Sequence, residues 1–170
     1  ASEELRSDRE IVLAAVSQYG LSLRYASEEL RSDREIVMTA VKEDGCAIEY
    51  ANKEFKSDRE IVLAAVSQDG QGSALEYTCK ESKSDREIVL AAVSQDGLAL
   101  EFACKEFKSD REIVLRAVNT LGAALRYASE ELRADREVVL TALKKDFNGD
   151  LIKFANKSLK EELEKEGLLN

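Results

Sequence analysis

Charged and apolar positions return in the same order six times along this chain. Each copy opens with Asp-Arg-Glu followed by an aliphatic run, and the copies begin at Asp8, Asp33, Asp58, Asp85, Asp110 and Asp135, at intervals of 25, 25, 27, 25 and 25 residues. A fixed period of this length marks a stacked repeat array rather than one globular core. In the second copy the positions of Ile36, Val37, Met38, Ala40 and Val41 are apolar or Ala in all six units. At about 100° per residue they cover roughly 200° of a helix, more than a surface helix needs. The first helix of each unit is therefore expected to be flanked on several sides. The slot between them varies, as Ala14, Thr39, Ala64, Ala91, Arg116 and Thr141, and with the slots of Lys42 and Glu43 it forms the remaining sector, facing solvent or a partner.

Polar punctuation brackets each run. Ser32 followed by Glu35 reads as a capping box, with Asp33 adding negative charge at the positive helix end. The same spacing recurs at Ser7, Ser57, Ser84 and Ser109, whereas Ala134 breaks it and predicts a cap weaker by about 1 kcal/mol. Gly20, Gly45, Gly70, Gly97 and Gly122 then read as left-handed helix stops.

The second half of a unit, as in Ala99 to Ser109, predicts a shorter helix with a stripe of Ala99, Leu100, Ala103 and Phe107. Slots four apart carry compensating charges: Arg24 with Glu28, Glu49 with Lys53, Glu76 with Lys80, Glu101 with Lys105, Arg126 with Glu130. That reversal of sign is what exposed i,i+4 pairs on a helix would show. Two short helices per 25 residues cannot bury their own apolar surface, so neighbours must cover it, and the expected fold is an all-α solenoid. Residues 1–159 divide into six tandem two-helix repeats preceded by a partial one, and residues 160–170 into a C-terminal capping helix.

The stretch from Asp8 to Leu30, DREIVLAAVSQYGLSLRYASEEL, resembles a family of uncharacterised α-helical repeats, a domain of unknown function, whose units read D-R-E-V-V-L-A-A-V and then N-G-x-A-L-x-x-A-S-E-E-L. The resemblance runs over residues 1 to 159. It implies a helical repeat fold and brings no activity with it. Two-residue insertions near Gln71-Gly72 and near Phe147 to Asp150 depart from the pattern.

Composition narrows the function classes. Apolar runs are broken by charge well short of the roughly 20 residues of a membrane helix, so no membrane insertion is expected. A formal charge of −9 opposes phosphate backbones, which argues against nucleic acid. Cys46, Cys79 and Cys104 are too scattered for a disulfide scaffold, and without His no mixed zinc site is expected. They suit a reducing intracellular compartment, most simply the cytoplasm. No glycine-rich phosphate loop or acid–base pair stands out, so neither catalysis nor a cofactor is expected.

Two rows of conserved slots read as frame. Arg9, Arg34, Arg59, Arg86, Arg111 and Arg136 are expected to fork onto carboxylates of a neighbouring repeat, a central Arg reaching both sides. Tyr25, Tyr50, Tyr77, Phe102, Tyr127 and Phe154 are expected to pack, since Phe replaces Tyr twice. A partner surface should instead collect departures from the repeat: Tyr19, Thr39, Lys42, Arg116, Asn119 and Leu121. Tyr19 and Leu121 stand out, because their slot is Asp at Asp44, Asp69, Asp96 and Asp146. The third unit, with Thr78 and Ser82 in apolar slots, should pack least well. At the C-terminus Leu163 replaces the Arg, and Gly167-Leu168 reads as a helix stop with its hydrophobic contact. The chain opens at ASEEL, inside a second half, so its first apolar face is expected to be covered by preceding repeats or another subunit. The expected function is a non-enzymatic scaffold for protein–protein interaction, or alternatively a structural subunit of a larger assembly.

Overall fold

Aspartate, not serine, decides where each long helix begins. The computed structural model describes residues 2–68, 70, 73–145 and 150–168. Among them the α-helices are α1 (Glu3–Ser7), α2 (Arg9–Gln18), α3 (Arg34–Glu43), α4 (Arg59–Ser67), α5 (Arg86–Gln95), α6 (Lys105–Lys108), α7 (Arg111–Thr120), α8 (Arg136–Leu143) and α9 (Lys157–Lys165). In α3 the Asp33 carboxylate accepts from the backbone N–H of Glu35 and Ile36, so Asp33 is the N-cap. The expected Ser32 capping box is not formed: Ser32 closes the preceding 3-10 turn, Leu30–Ser32, and its hydroxyl donates to Glu28 O. Ala134 correspondingly leaves its helix capped, since Asp135 accepts from Glu137 and Val138 N–H.

The glycines also act differently from the expected left-handed stops. Among the described residues the positive-φ glycine is Gly167, at φ 72°. Helices α2, α3, α5 and α7 end instead in an extended residue, such as Asp44 at φ −146° or Leu121 at φ −145°, and the glycine then opens a 3-10 helix. What requires glycine is contact between repeats. A Cβ at Gly122 would lie 2.5 Å from Ala142 O, and Gly20 and Gly97 press equally on the Ala40 and Ala117 carbonyls of the following unit. At these three positions glycine is required because two backbones meet there, whereas a Cβ at Gly70 would meet nothing within 4 Å.

The second half of each unit is not one α-helix. It runs as a 3-10 helix, as at Gly45–Tyr50, Gly97–Phe102 and Gly122–Tyr127, then breaks at an extended residue such as Ala51 or Ala103, and resumes as one short turn, Lys53–Lys56 or α6. Glu101 and Lys105 therefore lie on opposite sides of a break. None of the five compensating pairs forms an ion pair among the described residues, so the helical reading of that covariation is overturned. Among the described residues no ion pair explains the matched reversal of sign.

The architecture is an all-α solenoid. Helices α2, α3, α4, α5, α7 and α8 each touch the next and form one layer, and the 3-10 helices touch in the same order to form the other. Between the layers lies one continuous core, in which Ile36, Ile48, Ile61, Leu75, Ile113 and Leu125 are fully buried. Each unit offers too little surface to bury such residues alone, so the layers hold only as a stack.

Every joint is also stitched by polar contacts. A backbone N–H at the start of each short turn donates to a carbonyl of the previous unit: Ser27 to Arg6 O at 2.8 Å, Asn52 to Arg31 O at 3.1 Å, Cys79 to Lys56 O and Cys104 to Lys83 O at 3.0 Å, and Ser129 to Lys108 O at 2.8 Å. Beside this ladder runs the arginine row. Arg34 donates to Asp58 at 2.5 Å and Glu60 at 2.6 Å, and Arg86 to Asp110 and Glu112 at 2.5 Å. Arg9, Arg59 and Arg111 make the same two-carboxylate contact with Asp33/Glu35, Asp85/Glu87 and Asp135/Glu137. Each arginine reaches only the following unit, not both neighbours as expected.

The last joint closes the array. Helix α9, capped by Asn156, buries Leu159 and Leu163 against the stack, and Arg136 turns to its Glu162 and Glu166. It starts three residues before the expected 160. Gly167 N–H donates to Glu164 O and Leu168 N–H to Leu163 O, both at 3.1 Å, which is a Schellman stop at the expected Gly-Leu.

The third unit carries the buried polar residues Thr78 and Ser82. The Thr78 hydroxyl donates to Leu75 O at 2.9 Å, and Ser82 Oγ lies 3.2 Å from Cys79 Sγ, so both hydroxyls have partners. The 3-10 helix of this unit is cut to Ala74–Tyr77. The insertion positions Gln71, Gly72 and Phe147, with Asp69 and Asp146 of the loop slot, lie outside the described residues.

Candidate interaction surfaces

The outward sector of the α layer holds the six candidate residues in two groups. Tyr19, Thr39 and Lys42 belong to the adjoining helices α2 and α3 and the residue that ends α2, while Arg116, Asn119 and Leu121 belong to α7 and the residue that ends it. Between them stand α4 and α5, whose corresponding helix slots carry Ala64, Ser67, Ala91 and Ser94, with Asp96 in the loop slot after α5. Lys42, Arg116 and Asn119 are exposed, whereas Thr39 is half-buried and donates its hydroxyl to Glu35 O at 2.8 Å. The groups are thus two projections separated by a low strip of small side chains.

Tyr19 and Leu121 occupy a slot with a local structural task. The carboxylate of Asp44 accepts from Cys46 N–H at 2.9 Å, and that of Asp96 from Leu98 N–H at 2.8 Å, each capping the 3-10 helix that follows. Tyr19 and Leu121 make no side-chain cap. Tyr19 is 74% exposed, so burial does not replace its cap, while Leu121, 39% exposed, is partly covered.

The 3-10 layer presents a second surface. Tyr50, Tyr77, Phe102, Tyr127 and Phe154 pack their rings partly against the core, while Tyr25 is exposed. The Arg24 guanidinium lies 4.4 Å from the Tyr25 ring centre, and that of Arg126 lies 4.5 Å from Tyr127. The Tyr127 hydroxyl donates to Glu101 Oε2 of the previous unit at 2.5 Å, so the phenol does more than pack. Burial and this carboxylate hold the Tyr127 hydroxyl above its ordinary pKa. The ammonium groups of Lys56, Lys83 and Lys108 donate to the Glu49, Glu76 and Glu101 carbonyls at 2.5 to 2.7 Å, closing each second half. Lys80, Lys83 and Lys105 with Phe102, Cys104 and Phe107 line an open cleft of about 730 Å³ there.

Electrostatics along the joints are dominated by the arginine row. The guanidinium of the previous unit, with backbone N–H groups at the cap, holds Asp33, Asp58, Asp110 and Asp135 below the usual carboxylate range. For Asp85 the Ile88 N–H contributes most, followed by Arg59. Among the described residues no group of His, Cys, Asp or Glu side chains is arranged to hold a metal ion, and no helix is long and apolar enough to cross a membrane. Among the described residues Cys46, Cys79 and Cys104 form no disulfide.

A further surface lies outside the variable slots, at the N-terminal end whose apolar face was expected to be covered by preceding repeats or another subunit. At the N-terminal end Leu5, Ile11, Leu21 and Tyr25 are exposed, and Leu5, Ile11 and Tyr25 with Val12 and Ala15 line a groove of about 300 Å³. These residues occupy frame positions, so nothing in their identity marks them. Only their place at the start of the array uncovers them.

Stacked two-layer units of this length, with an Asp-Arg-Glu start, define a helical-repeat protein. The chain belongs to the family described as Domain of unknown function (DUF4116), which matches five times in overlapping stretches, at residues 1–31, 33–83, 71–108, 85–133 and 110–160. Comparison with curated proteins finds no match, and comparison with solved structures finds none.

Proposed function

We propose that this chain is a non-enzymatic scaffold that binds protein through the outward sector of its α layer. The observation that carries this reading is the replacement of a capping aspartate by Tyr19 and Leu121. A side-chain cap contributes about 1 kcal/mol, and both positions give it up while exposing apolar surface to water. A local rule broken without a compensating contact inside the fold points to a role outside it. Arg116, one helical turn before Asn119 and five residues before Leu121, adds a charged anchor suited to an interface.

The test is a comparison of variants in partner capture. Arg116→Glu with Leu121→Asp is expected to leave circular dichroism and melting nearly unchanged, since exposed substitutions shift stability by about 0.5 kcal/mol or less. The proteins retained by the wild-type chain should be lost. If the double variant retains the same set, while Glu76→Lys with Lys80→Glu on the 3-10 layer loses it, the binding face is the other layer.

A second reading, that of a structural subunit in a larger assembly, would place a neighbour against the apolar residues exposed at the N-terminal end, which preceding repeats would fit equally. The two readings concern different faces and are compatible. In both, the neighbour is a protein.

A further inference from the structure

Charges on the 3-10 layer lie in two rows with a row of rings between them. One row runs Arg24, Glu49, Glu76, Glu101 and Arg126, and the other Glu28, Lys53, Lys80, Lys105 and Glu130. The rings border both. Arg24 and Arg126 lie over Tyr25 and Tyr127, and Tyr127 donates to Glu101. On the other side Tyr50 lines one open hollow with Glu28 and Lys53, and Phe102 another with Lys80 and Lys105. Nine of the ten charged residues are exposed and Glu49 is half-buried, so both rows face water. Among the described residues no ion pair joins one row to the other.

From this charge pattern we infer that the 3-10 layer is the face on which two copies of this chain pair, in parallel, about a two-fold axis that runs along the rings. In that arrangement each row lies opposite the other row of the second copy. A positive, three negatives and a positive then meet a negative, three positives and a negative, and every position faces its opposite. The surface is self-complementary, as a two-fold interface requires. The reversal at the two ends sets the register. Five identical pairs would tolerate a slide of one unit, whereas here the slide puts Arg24 opposite Lys53 and Glu101 opposite Glu130. An axis across the rows is worse, since it sets each row against itself, like charge on like. Compensation within one chain needs no such reversal, because a single order of signs in every unit would balance equally well. The partly exposed rings supply the apolar centre that interfaces favour. In the sixth unit Lys153 and Lys157 share a sign, but Lys153 lies over the Phe154 ring and Lys157 pairs with Glu161, so the pattern ends at the fifth unit.

The experiment exchanges charges between copies. Wild-type chain at about 100 μM in about 50 mM salt is expected to sediment as a dimer, and its dissociation constant should rise at least about tenfold in about 0.5 M salt. Glu76→Lys with Glu101→Lys sets lysine opposite Lys80 and Lys105, and Lys80→Glu with Lys105→Glu sets acid opposite Glu76 and Glu101. Each variant alone should be monomeric. Mixed, the two should form a one-to-one dimer close to wild type in affinity, because every position is again opposite in sign. Wild-type chain that stays monomeric overturns the inference, as does a dimer indifferent to salt. Variants that keep their helical circular dichroism yet pair no better mixed than alone overturn it too.

A measurement on wild type alone locates the face should a variant not fold. Amide exchange between Glu101 and Lys105 should slow at least about threefold on going from about 1 to 100 μM, while that between Arg116 and Leu121 stays unchanged. Protection at Arg116 to Leu121 instead, or at neither segment, overturns the inference. Arg116→Glu with Leu121→Asp should dimerise as wild type does, so failure here is separate from failure of the outward-sector scaffold.

Discussion

Two glycines in the same slot should respond to alanine with opposite signs. At Gly97 an added Cβ meets backbone: besides the Ala117 carbonyl oxygen it would lie 3.1 Å from Ala117 C and 3.1 Å from Leu121 N. None of these can turn away as a side-chain end would, so the joint between the fourth and fifth units must open. A gap of about 1 Å forfeits a quarter to a half of the dispersion attraction across it, and overpacking of this kind costs about 1 to 3 kcal/mol. At Gly70 a Cβ meets nothing within 4 Å, and its φ is not left-handed. There Gly70→Ala restricts only the unfolded chain and should stabilise by about 0.4 to 1 kcal/mol. Urea unfolding of the two variants should therefore differ by roughly 1.5 to 4 kcal/mol, with Gly97→Ala the weaker. Gly97→Asn discriminates further, because asparagine tolerates the left-handed conformation but is larger than alanine. Under the close-approach account it is at least as damaging as alanine. Equal losses at Gly70 and Gly97, or rescue by Gly97→Asn, would refute the reasoning and return these glycines to the role of helix stops.

The cap assignment predicts that Asp110→Ala lowers stability by about 1 to 2 kcal/mol while Ser109→Ala changes it by less than about 0.5 kcal/mol, and a larger loss at Ser109 in chemical denaturation would restore the serine capping box. Acid should act through the same residues: the folded-state pKa values of Asp33, Asp58, Asp85, Asp110 and Asp135 lie below the unfolded value of about 3.9, so their stabilisation is complete above that value and lost as pH falls through the folded ones. The chain has no His, so melting temperature should be nearly flat from about pH 7 to 5 and fall below about pH 4, and Arg34→Gln with Arg86→Gln should flatten the fall; a decline already complete by about pH 5.5 would assign acid sensitivity elsewhere.

The arginine row limits how far such ion pairs should be credited with holding the fold. Its side chains are 41 to 54% exposed, and pairs of that exposure are screened by water and salt. Their contribution is to register. An arginine that finds both carboxylates of the following unit fixes where one helix sits along the next, which apolar contact alone specifies loosely. Since each arginine reaches in one direction, Arg9→Ala and Arg59→Ala should each break a single joint contact.

The sequence by itself determined the period, the long helices, the apolar slots that form the core and the Schellman stop at Gly167, because each is written in local composition and all but the stop recur from unit to unit. The contact between Arg and the Asp/Glu of a neighbouring unit was legible for the same reason. It could not decide between Ser32 and Asp33 as cap, since both side chains accept backbone N–H bonds and the choice depends on the 3-10 turn that uses Ser32 first. Nor could it separate a glycine needed for left-handed backbone from one needed for contact between backbones, a distinction that exists only once two units are stacked. The break at Ala103 and the backbone ladder from Cys104 to Lys83 are tertiary in the same sense: the extended residue gives up helical bonds within the unit, and the N–H that follows is satisfied by its neighbour. The exposed face at Ile11 carries the same letters as its buried counterparts, and only its place at the end of the stack distinguishes it.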